Sequence, residues 1–70
     1  MTTMIPVTIN GDAREVAAGS TVRAVLDSLG LHPRLVVVEH NREILDREEY
    51  DNTEVQAGDT LELVHFVGGG

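Results

Sequence analysis

Cysteine, lysine and tryptophan are all absent from the 70-residue chain. Without cysteine there is no disulfide, no thiolate metal site and no thiol nucleophile. Without lysine the basic side chains are five arginines, set against twelve acidic residues, for a net charge of −7 at pH 7. That balance excludes a nucleic-acid binder, whose surface must be basic, and disfavours an anionic membrane. It fits solubility, or a protein partner with a basic face. Aromatics are scarce: Tyr50 and Phe66 are the only two. The longest apolar run, Leu35 to Val38, is four residues, far short of a transmembrane helix. The start, Met1-Thr2-Thr3-Met4, lacks the basic and apolar regions of a secretory signal, so the cytoplasm is the expected location.

A chain of this length makes one small domain with a thin core. There is little room for both a core and a deep catalytic cavity, and no acid–base pair or nucleophile–base set stands out. His32, His40 and His65 lack a compact metal spacing and read as loop or rim residues, His65 part-buried. The run Asp46 to Asp51 lacks the glycine and the alternation of a calcium loop and reads as solvated turns. An enzyme acting alone is the least expected reading.

The apolar pattern gives an element order. Ile5, Val7 and Ile9 alternate with Pro6 and Thr8, predicting a half-buried strand, with Pro6 at an edge or near the strand start. Asn10-Gly11 is a hairpin turn signal, and Arg14 to Ala18 reads as the return strand, Val16 and Ala18 facing one side. Ser20 or Thr21 caps a helix, roughly Thr21–Leu29, whose stripe is Val22, Val25, Leu26 and Leu29. Gly30 suits a left-handed helix stop, Leu31 folds back, and Pro33 bars continuation. Leu35 to Val38 predicts a central strand, Glu43-Ile44-Leu45 a short one, and Asp46 to Thr53 turns with one 3₁₀ segment. Val55 to Asp59 turns into a final strand from Thr60 to Val67, with Leu61 and Leu63 on one face and Glu62, Val64 and Phe66 on the other. This ββαβββ order is an α+β arrangement, a single helix across a mixed sheet of four to five strands.

Gly68-Gly69-Gly70 ends the sequence as a strip with no side chains. Extended, it reaches about 10 Å beyond the strand and can enter a tunnel too narrow for any side chain. Its tip carries an α-carboxylate that is ionised at neutral pH. The division expected is a domain over residues 1–67 and a flexible glycine tail over 68–70.

This chain is similar to the ubiquitin-like β-grasp proteins and, in its short length, resembles the ThiS family of sulfur carriers of thiamine biosynthesis. The matching stretches are Val7-Thr8-Ile9-Asn10-Gly11, Ala18-Gly19-Ser20-Thr21-Val22, Val36 to Asn41, Gly58-Asp59, and Leu61 through Gly70. The Gly-Asp turn and the glycine end are the most specific. The resemblance implies a protein that is not itself an enzyme. An E1-like, ThiF-like adenylyltransferase using ATP and magnesium would adenylate the Gly70 carboxylate. Persulfide sulfur from a donor protein would displace AMP to give a thiocarboxylate, and a ThiG-like thiazole synthase would take that sulfur. The free carrier would be a monomer. Val64, Phe66 and Val37, with Leu35 as an alternative, are the candidate docking residues near the tail, and Glu62 would steer a basic partner. Phe66 either anchors that interface or packs on the sheet edge. Other readings stay open: a carrier for another pathway (molybdopterin synthase small subunit, cysteine or tRNA thiolation), a covalent modifier, or a non-covalent interaction module with an inert tail.

Overall fold

The computed structural model describes residues 3–65. Five strands form one sheet: β1 (Met4–Ile9), β2 (Asp12–Ala17), β3 (Val36–His40), β4 (Glu43–Leu45) and β5 (Thr60–His65), in the order β2-β1-β5-β3-β4. β5 is central, parallel to β1 and antiparallel to β3. The single helix, α1 (Val22–Ser28), covers one face. Val7, Ile9, Val22, Val25, Leu26, Val36, Val38, Val55, Leu61 and Leu63 form the core with Tyr50. This is the mixed sheet with one helix that the apolar pattern predicts.

The two hairpin turns share one chemistry. Asn10 and Gly11 adopt φ of 50° and 84°, and Asn41 and Arg42 adopt 52° and 73°. Positive φ at both central residues matches the twist of the flanking strands. Asn and Gly tolerate that conformation, whereas Arg42 is held in it by the register between His40 and Glu43.

Both ends of α1 are satisfied locally. Thr21 is the N-cap, accepting from the Ala24 N–H at 3.1 Å. The N–H groups of Val22 and Arg23 donate to Thr53 O and Tyr50 O, each at 2.9 Å, so the loop after β4 completes the cap. At the other end Gly30 (φ 73°) donates to Asp27 O and Leu31 to Leu26 O, the paired bonds of a Schellman stop.

One expectation is narrowed and three are corrected. Pro6 stands near the start of β1, as expected, but not at an edge, because β1 is paired on both sides. It is accommodated because the β1–β5 ladder joins only Thr8 and Ile9 to Thr60 and Leu61, so the missing N–H faces no strand. Leu35 ends a 3₁₀ turn, Pro33–Leu35, rather than starting a strand. Pro33 supplies the fixed φ, and the Leu35 N–H closes the turn on His32 O at 2.9 Å. The return strand begins at Asp12 and ends at Ala17, leaving Ala18 exposed beside the Gly19 turn. His65 is exposed, not part-buried, because the β1 ladder no longer flanks β5 there.

Tyr50 joins the core from the polar loop after β4, where sequence periodicity gives no sign of it. Its hydroxyl donates to Val36 O at 2.8 Å, so its polar end is paired where it is buried.

Candidate functional site

The face of the sheet away from α1 carries the alternate side chains of β3 and β5. Val37 is the register partner of Val64, and Glu39 that of both Glu62 and Ile44. Val64 is 52% exposed and Ile44 73%, while Val37 and Glu39 are half-buried. Three aliphatic side chains and two carboxylates thus share one strip. Two glutamates directly opposite each other across a ladder are unfavourable in isolation. A cation brought by another molecule would relieve them.

Among the candidate docking residues, Val37 and Val64 meet as a cross-strand pair. Leu35, the alternative, stands on the 3₁₀ turn before β3 and is exposed. Phe66, Gly68, Gly69 and Gly70 lie outside the described residues. Ile44 belongs to the same strip, which the sequence pattern alone does not single out. The available signal was Ile44-Leu45 in a strand too short to bury both faces.

The strip is positioned by the β3–β5 ladder. Val36 pairs with His65 at one end, and His40 with Leu61 at the other. The strip therefore runs toward the end of β5 from which residues 66–70 continue.

At the opposite end a polar cluster fixes where β5 begins. His40 Nε2 lies 2.7 Å from Asp59 Oδ2, and Asn41 Nδ2 donates to Asp59 Oδ1 at 3.2 Å. The Gln56 N–H donates to Asp59 Oδ2 at 2.8 Å, and the Thr60 N–H to Asn41 Oδ1 at 2.9 Å. Burial pushes the Asp59 carboxyl upward. The hydrogen bonds from Gln56, His40 and Asn41, with the His40 charge, outweigh that and hold it below its usual value. This places His40 inside a network, not on a loop rim. Its ring meets the Asp59 carboxylate and the Asn41 amide rather than a hydroxyl or thiol, so the cluster joins two strand ends.

Among the described residues no three His, Cys, Asp or Glu side chains are grouped to hold a metal ion. An open cleft of about 530 Å³ beside the end of α1 is lined by Arg23, Asp27, His32 and Arg34. Arg23 there is paired with Asp27 and Asp51. Among the described residues no helix is long and apolar enough to cross a membrane.

The ThiS family matches residues 7–70, nearly the whole chain and all of the glycine end. The chain belongs to the ThiS family. This ThiS family member is 44% identical over 50 residues to the sulfur carrier protein ThiS of Bacillus subtilis, covering 71% of this chain and 76% of that protein. It is 47% identical over 62 residues to a thiazole synthase of Paramagnetospirillum magneticum, covering 89% of this chain. There it spans only 19% of the relative, so the match is to one segment of a much longer protein. The crystal structure of the thiamine biosynthesis protein ThiS from Geobacter metallireducens superposes with a TM-score of 0.80 at 38% identity. That superposition covers 94% of this chain and 100% of the other.

Proposed function

We propose that this ThiS family member is a cytoplasmic sulfur carrier of thiamine biosynthesis, acting as the substrate of other enzymes. The observation that carries the reading is the extent of the family match, which runs along β5 and through Gly70. The Gly70 carboxylate attacks the α-phosphorus of ATP on an adenylyltransferase that supplies the magnesium. Pyrophosphate leaves, and an unreactive anion becomes an acyl-adenylate with a good leaving group. Sulfide sulfur then adds to the acyl carbon and AMP departs, leaving a thiocarboxylate. A persulfide donor reaches the same product through an acyl disulfide that a thiol reduces. A thiazole synthase is the acceptor, a reading supported by the likeness to a segment of proteins of that name.

In this reading Val37, Val64, Ile44 and Phe66 are the docking residues, and Glu39 and Glu62 select a partner with a cation at the matching place. Gly68 and Gly69 thread the partner's channel and Gly70 carries the sulfur. The test is intact mass after incubation with a ThiF-like adenylyltransferase, ATP, magnesium and sulfide. A gain equal to replacing one oxygen by sulfur, lost when Gly70 is deleted, supports the carrier. No gain with an adenylyltransferase active on another carrier counts against it.

A further inference from the structure

The β1–β5 ladder is short. Its register pairs are Thr8–Thr60 and Ile9–Leu61, and its last main-chain bond runs from the Asn10 N–H to Leu61 O at 2.9 Å. β1 then turns away at Asn10 and Gly11. Asp59, Leu61 and Leu63 alternate toward the β1 side of β5. The carbonyls of the first two are met by the N–H groups of Thr8 and Asn10, whereas Leu63 has no β1 backbone beside it. The Asn10 side chain takes that place. Its Oδ1 accepts from the Leu63 N–H at 2.7 Å, and its Nδ2 donates to Leu63 O at 3.3 Å. A primary amide carries an acceptor and a donor in one plane, as a peptide unit does, so it extends the ladder by one rung after the backbone has left.

We propose that Asn10 is a positioning residue for the carrier reaction. By holding both backbone groups of Leu63 it fixes the course of β5 through Val64, and with it the register of Val64 against Val37. A partner then meets a docking strip that is already ordered, and does not bear the entropy of ordering it. The proposal rests on the sulfur-carrier reading. A turn residue alone would need only to tolerate a φ of 50°, which glycine does better.

The test separates the two roles. Asn10→Gly keeps the turn and removes the amide. Asn10→Asp keeps an acceptor for the Leu63 N–H but sets a carboxylate oxygen against Leu63 O. Amide hydrogen exchange is measured at Leu63, and the KM for the carrier in ATP–pyrophosphate exchange on a ThiF-like adenylyltransferase. For Asn10→Gly, exchange at Leu63 is expected to quicken at least tenfold. The carrier KM should rise by about tenfold, with kcat changed much less. Asn10→Asp should raise KM by a similar or smaller factor. A carrier KM within twofold of wild type in folded Asn10→Gly overturns the proposal. Should wild type itself fail to be adenylated, the carrier reading falls and exchange decides alone: Leu63 protection within twofold of wild type overturns the clasp, and its loss upholds it.

Discussion

His40 Nε2 lies 2.7 Å from Asp59 Oδ2, tying the end of β3 to the residue that precedes β5. Asp59 is 9% exposed and accepts from three directions, so the carboxylate is organised rather than merely buried. Its pKa is lowered in the folded chain. The stabilisation is therefore fully present above the unfolded value, about 3.9, and is lost as pH falls through the lower folded value. Asp59→Asn should cost about 1–3 kcal/mol at pH 7, since three donors lose a charged acceptor. Urea titrations should show the gap between wild type and variant closing as the pH falls below about 4. A gap independent of pH down to acid unfolding would contradict this.

Arg42 sits at φ 73° with a full side chain. An L residue in that region costs about 1–2 kcal/mol, which glycine avoids at some expense in unfolded-state entropy. Arg42→Gly should stabilise the chain by up to about 1 kcal/mol, read as a higher urea midpoint at unchanged m. A lower midpoint would mean that the arginine side chain contributes more than its backbone costs.

Val64 is half exposed beside Val37. Val64→Asp should cost about 1 kcal/mol of stability, since a β-branched residue of the central strand gives way to a third carboxylate, while raising the carrier KM for adenylation at least tenfold, the effect of a charge at the centre of an apolar contact. Adenylation at wild-type KM would move the docking site elsewhere.

Glu39 and Glu62 face each other across the β3–β5 ladder. Glu62→Gln should raise stability by about 0.2–1 kcal/mol by removing the like-charge pair. It should also lower the association rate with the adenylyltransferase and weaken the salt dependence of that rate. Stopped-flow association at two ionic strengths reads both effects. A slower rate whose salt dependence is unchanged would exclude steering by Glu62.

What the sequence made legible was local. Asn10-Gly11 marked its hairpin, the Val22–Leu29 stripe its helix, and Gly30 its stop, because each rests on residues within about two helical turns of one another. The alternation in β5 put Leu61 and Leu63 inward and Val64 outward, as the burial shows. The missed features depend on distant partners. Tyr50 is core only because Val36 O lies within reach of its hydroxyl. His40 looked like a rim residue because Asp59, nineteen positions away, is what draws it in. Leu35 continued an apolar run, yet Pro33 two positions earlier set a 3₁₀ turn that outweighed the run. Asn10 is a turn residue by its sequence, and its second task shows only when Leu63 is beside it.

The central place of β5 also bears on when the molecule becomes visible to a partner. The two hairpins close over short stretches of chain, whereas the Asn10–Leu63 contact spans 53 positions. Hairpins form in about 1–10 μs, while assembly dominated by such distant pairings takes about milliseconds to seconds. Until β5 inserts, the hairpins have nothing between them, and Val64 is nowhere near Val37. The Val37–Val64 strip thus comes into being only once β5 has paired with β3, a long-range closure in its own right. An adenylyltransferase that reads the strip would spend no ATP on carriers that have yet to fold.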